Sequence, residues 1–240
     1  MSGRGYENIA EFYDHVLGNS SDEINFVKRK IRKLSPSAKN ILELGCGTGN
    51  NLYVLEKKFS TRGIDNSPAM LEIAAGKTVN TEYFEEDIIN YRSEKKFDVI
   101  ICLYDTINHL LKYNDWENLF SNTHRNLSKN GIFVFDMNTL FKLELISAIS
   151  PIVNKSGENI LLANIKKRKG NIYNWNLKLF EKKSRGMYKL HETNILETSY
   201  EISLIVNKLS EKFKILDISE LNSKRINQES ERVYFFCRKK

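Results

Sequence analysis

Short apolar runs alternate with longer amphipathic segments through the first half of the chain. The runs predict five strands, at Asn40–Leu44, ending at Arg62–Asp65, around Tyr83–Glu85, at Phe97–Cys102 and at Gly131–Asp136. Apolar residues at helical spacing predict helices over Glu23–Leu34, Leu52–Lys58, Ala69–Lys77 and Asp115–Leu127. Strands that alternate with helices in this way are typical of a parallel sheet with crossover helices. The pattern therefore predicts an α/β, doubly wound, mostly parallel fold.

The pattern changes over Asn159–Leu196, where apolar and polar residues alternate with the period of a strand. One face of such a strand would carry Tyr173, Trp175, Leu177 and Leu179. Turn-forming residues divide the segment into three strands, at Lys169–Asn171 and at Arg185–Gly186. Short strands joined by such turns indicate an antiparallel β-meander. We expect these four side chains on the inner side of a lid over the carboxyl-end face of the main sheet.

The last part of the chain completes the main sheet. A helix is predicted over Ser199–Lys212, followed by a closing strand pair at Phe213–Ser219 and Val233–Arg238. With the five earlier strands this gives a seven-stranded, Rossmann-like sheet. We expect a single domain over residues 1–240, in which residues 159–196 are an insertion and not an independent domain.

The composition narrows the choice of compartment and partner. A chain of 240 residues with 41% apolar residues suits one globular domain. It has no apolar signal segment, no run of the roughly 18 apolar residues that a membrane helix needs, and three scattered cysteines. We therefore expect a cytoplasmic protein with no membrane partner. The basic residues behind the net charge of +7 are spread over separate clusters at 28–33, 166–169 and 238–240. This spread disfavours a nucleic-acid partner, because nucleic-acid-binding surfaces concentrate positive charge on one face.

The candidate chemistry begins with a glycine-rich turn, Glu43–Gly49, between the first strand and a helix. Glycines let the backbone turn tightly and approach a ligand, although such a turn can also be purely structural. Asp65 ends the second strand, where a carboxylate can accept both ribose hydroxyls of a nucleoside. Asp87 follows the third strand and could accept from an adenine amino group, with Ile88 beside the ring. A single aspartate at a strand end is usually a cap or turn residue. Three such features in order indicate a nucleoside site.

The glycine spacing separates this site from that of dinucleotide enzymes. Those enzymes use G-x-G-x-x-G, whose third glycine allows close packing of the helix on the strand. Here the pattern is E-x-G-x-G-x-G, and Asn50 stands where the third glycine would fall. The spacing therefore disfavours a nicotinamide or flavin dinucleotide.

Four segments closely resemble the class I, Rossmann-like methyltransferase family: ILELGCGTGN, GIDNSPAML, EEDI and FDVIICLYDTINHL. The resemblance covers about Phe12 to Asp136 and the closing strands, and it implies S-adenosyl-L-methionine as cofactor. The glycines would line its methionine portion, Asp65 would bind the ribose, Asp87 and Ile88 the adenine, and the Leu103 backbone the methionine. The cofactor-binding residues implied by these motifs are Glu43, Gly45, Cys46, Gly47, Asp65, Asn66, Met70, Asp87, Ile88 and Leu103.

Two residues are candidates for the catalytic step. His109 follows the fourth strand, where the methyl acceptor should lie, and a histidine can take a proton from an amine or hydroxyl near neutral pH. Tyr13, in a Phe-Tyr-Asp stretch near the start of the chain, is implicated by resemblance to small-molecule N-methyltransferases, including those that dimethylate amino sugars. In that group an insertion like Asn159–Leu196 caps the substrate pocket. The alternatives are a histidine that begins a helix and a packed aromatic residue.

Several other activities are disfavoured or left open. The fourth motif lacks the Asn/Asp-Pro-Pro-aromatic run of enzymes that methylate base amines, and Cys102 lies inside an apolar strand, unlike a covalent nucleophile. The four histidines show no metal-ligand spacing, so no metal is expected. We expect a small-molecule acceptor that is methylated on nitrogen, with oxygen or carbon as less favoured alternatives for the acceptor atom. An RNA or protein methyltransferase that uses the basic stretch Ile165–Lys169, and a non-catalytic cofactor-binding module, remain alternatives. The oligomeric state stays open.

Overall fold

A computed structural model describes residues 5–17, 21–221, 223 and 225–240. The strands in these residues are β1 Asn40–Leu44, β2 Ser60–Asp65, β3 Glu82–Glu85, β4 Phe97–Cys102, β5 Leu127–Asn138, β6 Ile152–Ser156, β7 Asn159–Lys167, β8 Ile172–Lys182, β9 Tyr188–Thr198, β10 Phe213–Ser219 and β11 Arg232–Lys239. The α-helices are α1 Tyr13–Val16, α2 Ser21–Leu34, α3 Asn50–Leu55, α4 Pro68–Lys77, α5 Tyr113–Asn126, α6 Leu140–Ala148 and α7 Ile202–Ser210. Short 3₁₀ helices cover Glu7–Phe12, Thr106–His109 and Ser184–Gly186.

The main sheet has seven strands in the order β10-β11-β5-β4-β1-β2-β3. The pairs among β1 to β5 are parallel, while β11 is antiparallel to both β5 and β10. The predicted doubly wound sheet is therefore confirmed. The chain runs outward from β1 in one direction through β2 and β3, and in the other through β4 and β5. The strand order reverses between β1 and β4, and a crevice outside the carboxyl ends of such strands is where open α/β sheets bind ligands.

Both faces of the main sheet are covered by helices. On one face α2 packs its apolar side against the sheet, with Phe26 at ring-centroid distances of 5.3 Å from Tyr234 and 5.8 Å from Phe236. On the other face the buried Trp116 of α5 packs in the same cluster as Ile205 of α7. This double burial explains why β4 is an almost continuous apolar run. No helix within the described ranges is both long and apolar enough to cross a bilayer.

The four strands β6 to β9 form a separate antiparallel sheet, here called the small sheet. Its inner face buries Tyr173, Leu177 and Leu179, as predicted, with Trp175 only partly buried. This face packs on α6 and on residues 5–17, here called the N-terminal segment, and Glu197 on it accepts from Nδ2 of Asn138 in β5 at 3.3 Å. The predicted meander is confirmed for β7, β8 and β9.

Some elements differ from the sequence prediction. The small sheet has a fourth strand, β6, whose central residues are exposed and therefore carry no alternating pattern. The helix predicted over Leu52–Lys58 begins earlier, at Asn50, because Gly49 adopts a left-handed conformation with φ of 76° and starts the helix there. The helix α6 and the two 3₁₀ helices at Glu7–Phe12 and Thr106–His109 were not predicted, and the last of these carries a residue of the candidate site.

Candidate active site

The glycine-rich turn forms the floor of the site, directly after β1. Gly45 and Gly47 have φ angles of 69° and 51°, which L-residues with a Cβ rarely adopt. A Cβ on Gly45 would lie 2.3 Å from Cγ2 of Thr106, so this position must remain glycine for the turn after β4 to pack on it. A Cβ on Gly47 would meet nothing within 4 Å. The turn therefore combines close backbone packing at Gly45 with open space above Gly47.

Asp65 joins the end of β2 to this turn. Its carboxylate accepts the backbone N–H of Gly47 at 2.8 Å and that of Ser67 at 3.0 Å. Burial raises the pKa of Asp65, and these amide hydrogen bonds act in the opposite direction. Asp87, after β3, is exposed, and its Oδ1 accepts the N–H of Ile89 at 2.8 Å. Asp87 is therefore a turn residue whose carboxylate also borders the site.

Glu43 is a buried carboxylate at the base of the site, with only 1% of its surface exposed. Its Oε1 accepts from Nδ2 of Asn51 at 2.6 Å, whereas its Oε2 has no hydrogen-bond partner in the described structure. Burial raises the pKa of Glu43 to about 8. A buried oxygen without a partner is costly. A ligand that brings a cationic N–H group to Oε2 would relieve this cost.

A cavity of about 860 Å³ opens at the carboxyl ends of the parallel strands. The residues predicted to bind the cofactor all line it: Glu43, Gly45, Cys46, Gly47, Asp65, Asn66, Met70, Asp87, Ile88 and Leu103. Both candidate catalytic residues, His109 and Tyr13, line it as well, and so do Thr193, Asn194 and Leu196 of β9. A volume of this size suits a cofactor with a small second ligand.

The turn after β4 has an unusual backbone. Tyr104 and Asp105 are consecutive residues with φ angles of 56° and 51°, an uncommon conformation for residues other than glycine. The N–H of Asp105 donates to Oδ2 of Asp136 at 3.0 Å. Arg232 of β11 contacts Asp105 at 2.5 Å and Asp136 at 3.3 Å, and Glu23 lies 3.8 Å away. This partly buried ion cluster fixes the turn that carries His109.

His109 ends the 3₁₀ helix Thr106–His109 and is held from two sides. Its Nδ1 lies 3.3 Å from the carbonyl oxygen of Leu196, and its Nε2 lies 3.3 Å from the hydroxyl of Tyr6. One carboxylate oxygen each of Asp105 and Glu197 lies within 4.8 Å of a ring nitrogen and of each other. Glu197 is 3% exposed, and burial together with the Asp105 charge raises its pKa. The imidazole therefore lies beside two carboxyl groups, and burial disfavours the charged form of Glu197.

Tyr13 reaches the cavity from α1 in the N-terminal segment. Its ring stands edge-on to that of Tyr6, with 5.3 Å between centroids, and burial raises its pKa. The neighbouring Asp14 accepts from Thr48 at 2.6 Å and from Asn50 at 2.7 Å, and it pairs with a lysine of α4. The N-terminal segment is thereby tied to the glycine-rich turn.

The sequence patterns did not predict three residues near His109. Tyr6 lies outside every predicted helix, strand and motif. Arg232 reaches the site from β11, at the opposite end of the chain. Glu197 lies opposite Tyr173 in the small sheet, on a face of β9 that also carries Thr193 and His191, so no regular apolar alternation marks its position in the sequence.

The geometry of this site can be compared with known proteins. Residues 41–131 match the family described as a methyltransferase domain. A protein of Geobacillus sp. (strain WCH70) with a provisional methyltransferase name is 26% identical, over 98% of this chain and 99% of that protein. An S-adenosylmethionine-dependent methyltransferase structure from Clostridium acetobutylicum ATCC 824 superposes with a TM-score of 0.87 at 23% identity, covering 97% and 98% of the two chains.

A third relative comes from Streptomyces fradiae, the dTDP-3-amino-3,6-dideoxy-alpha-D-glucopyranose N,N-dimethyltransferase. It is 32% identical over 42% of this chain and 42% of its own length. The family match, the sheet order and the glycine-rich turn agree, so residues 41–131 form a methyltransferase domain, and the chain is similar over its length to a methyltransferase-named protein and has the fold of the class I, Rossmann-like S-adenosylmethionine-dependent methyltransferases. It is an enzyme, and S-adenosyl-L-methionine is its cofactor.

Proposed function

We propose that this enzyme transfers the methyl group to a nitrogen of a small-molecule amine, bound between the glycine-rich turn and β9. One observation carries the proposal: a single cavity joins the residues suited to the cofactor with a histidine held between two other parts of the chain. Methyl transfer is an in-line displacement, so the enzyme must mainly align two reactants, which is worth up to roughly 7–11 kcal/mol.

The cofactor would occupy the half of the cavity at the ends of β1, β2 and β3. Glu43 Oε2, which lacks a partner, would accept from the ammonium of the methionine portion, next to the open backbone at Gly47. Asp65 would accept from the ribose hydroxyls, and Asp87 from the adenine amino group. When bound, S-adenosyl-L-methionine supplies a methyl group activated by a positively charged sulfur.

The acceptor would occupy the other half, beside His109. An alkylammonium group is protonated near neutral pH, so its nitrogen must lose a proton before it can attack. His109 borders the cavity and would take that proton, while the nearby carboxylate of Asp105 would stabilise the imidazolium that results. The carboxylate of Asp105 would also favour a cationic amine over a neutral hydroxyl compound as acceptor. Tyr13 would pack against and orient the acceptor from the N-terminal segment.

Amino sugars are the first amines to test. The relative from Streptomyces fradiae is named for a reaction on such a sugar. In this chain Asn194 lines the cavity, and its Oδ1 accepts from Asn174 at 3.1 Å and from Asn176 at 3.3 Å. Of these three amides Asn194 lines the cavity, and its Nδ2 would donate to a hydroxyl of a sugar.

The test is a panel of acceptors incubated with methyl-labelled S-adenosyl-L-methionine. The panel contains amino sugars and their nucleotide conjugates, simple amines, carboxylic acids, phenols and RNA. We expect label on an amine, with an amino sugar giving the highest kcat/KM. Label found only on an acid or a phenol would refute nitrogen transfer, and label on RNA that falls steeply with salt would support the macromolecular alternative.

A further inference from the structure

The proposed base has a neighbour whose position suggests a part in the proton transfer. Tyr6 lines the cavity together with His109, and its hydroxyl lies 3.3 Å from Nε2 of that histidine. The two rings meet edge to face at 5.7 Å. We propose that Tyr6 is a catalytic residue that receives the acceptor's proton on its hydroxyl oxygen while passing its own proton to His109. This inference rests on the proposed amine transfer.

The direction of the hydrogen bonds follows from the partner of the other ring nitrogen. Nδ1 of His109 faces the carbonyl oxygen of Leu196, which can only accept, so Nδ1 carries the proton in the neutral imidazole. Nε2 then has a free electron pair and accepts from Tyr6. The hydroxyl of Tyr6 donates its only proton in the hydrogen bond to Nε2. The lone pairs of its oxygen can then accept a hydrogen bond from a donor in the cavity.

The step balances without any further reactant. An N–H bond of the acceptor ammonium breaks as an O–H bond forms at Tyr6, and the original O–H bond of Tyr6 breaks as an N–H bond forms at Nε2. The acceptor nitrogen is left with the electron pair that attacks the methyl group. The positive charge moves from the acceptor to the imidazole of His109.

The surroundings of the two rings favour such a coupled transfer. The charged or titratable groups that face them are Asp105, Glu197, Asp65 and Tyr13, from four different parts of the chain. Burial, followed by the charges of these groups, raises the pKa of Tyr6. A free phenolate is therefore disfavoured, whereas an imidazolium would be stabilised by the neighbouring carboxylate of Asp105. Both protons would move together, and Tyr6 would stay neutral.

The position of Tyr6 depends on the docking of the N-terminal segment on β9. Thr193 donates a hydrogen bond to the carbonyl oxygen of Gly5, and a Cβ on Gly5 would approach Cγ1 of Ile195 to 3.0 Å. Next to this contact the backbone N–H of Ile9 donates to the carbonyl of Tyr6. The relay is thus assembled from the N-terminal segment, the turn after β4 and the small sheet.

The hydrogen bonds can be tested without any methyl acceptor, by ¹⁵N NMR of the free protein with labelled histidine rings. His109→Gln assigns the resonances among the four histidines. We expect a neutral His109 with its proton on Nδ1, and a shift of the Nε2 resonance in Tyr6→Phe. Tyr53→Phe, at a half-exposed tyrosine outside the cavity, is the matched control and should leave the resonance unchanged. A proton on Nε2 in the wild-type protein, or an unmoved resonance in Tyr6→Phe, overturns the relay.

The transfer itself is tested on the amine labelled most efficiently in the acceptor panel. We expect Tyr6→Phe to lower kcat at least about tenfold, with the cofactor Kd and the unfolding midpoint unchanged. Adding His109→Ala to Tyr6→Phe should cost little beyond His109→Ala alone, because the two residues act in one step. Unchanged kcat in Tyr6→Phe, or full additivity, overturns the relay alone. A panel in which no amine is labelled overturns the proposed function as well, even if the NMR result stands.

Discussion

The two halves of the cavity are built in different ways. The cofactor half lies mainly within residues 43–88, at the ends of three neighbouring strands, with Leu103 added after β4. Its carboxylates are held mainly by nearby backbone amides. The acceptor half joins groups that are distant in the chain, since His109 contacts residues 103 and 87 positions away. A parallel sheet creates the first half wherever its strands end. The second half exists only when three separate segments dock together.

This difference also appears in the electrostatics. In the cofactor half Asp65 accepts neutral amide donors, and Glu43 keeps one oxygen without a partner. In the acceptor half Arg232 pairs with the buried Asp136 and with the partly buried Asp105. Burial still raises the pKa of Asp136 to about 7 beside this arginine. The acceptor half should therefore be the more sensitive to the loss of one charged side chain.

The largest effect is expected from Arg232→Ala. It would leave Asp136, which is 0% exposed, and Asp105 without their counter-ion, and removing one partner of a buried pair costs about 3–5 kcal/mol. We expect the free energy of unfolding in urea to fall by about 3 kcal/mol. Arg29→Ala, at an exposed arginine of α2, is the control. A loss below about 1 kcal/mol, the size of a surface pair, would show that the cluster does not stabilise the acceptor half.

The next largest effect should distinguish catalysis in the acceptor half from cofactor binding in the cofactor half. If His109 is the base, His109→Ala should lower turnover about 100-fold or more and leave the affinity for S-adenosyl-L-methionine nearly unchanged. Turnover is measured with the labelled cofactor and affinity by calorimetry. His15→Ala, at an exposed histidine of α1, should change neither. A loss in turnover under about threefold, or loss of cofactor binding, would assign His109 a structural role.

The same division explains what could be predicted from the sequence. The bounds of β1 and β4 agree with the prediction, because a buried strand is a short apolar run that polar or turn-forming residues interrupt, and the bounds of the edge strand β10 agree as well. The predicted cofactor residues all line one cavity for a similar reason: each follows a strand whose neighbours the parallel topology determines. Tyr6 and Glu197 could not be placed near His109 in this way. Their proximity depends on how the small sheet and the N-terminal segment dock, and no local pattern encodes that contact.

A smaller effect is expected in the cofactor half from Asp65→Ala. Two ribose hydroxyls would lose a charged acceptor, which should weaken S-adenosyl-L-methionine binding by at least about 1.5 kcal/mol, or more than tenfold. Asp65→Asn keeps an acceptor for the N–H of Gly47 or Ser67 and so separates the loss of charge from a distorted turn. Asp22→Ala, at an exposed aspartate of α2, is the control. Unchanged affinity in a calorimetric titration would remove Asp65 from the cofactor site.

The smallest effect is a proton released when the cofactor binds. In the free enzyme the pKa of Glu43 is about 8, because the carboxyl is buried, so near pH 7 it is mostly protonated. An ammonium group at Oε2 would stabilise the ionised form and lower this pKa, so binding should release close to one proton near pH 7. The affinity for S-adenosyl-L-methionine should therefore rise with pH and level off above about pH 8.

Calorimetry in phosphate and in Tris, whose ionisation enthalpies differ, measures the released proton directly. In Glu43→Gln the release should disappear and the affinity should lose this pH dependence. An equal release in this variant would mean that another group titrates on binding and that the cofactor half holds the ammonium elsewhere.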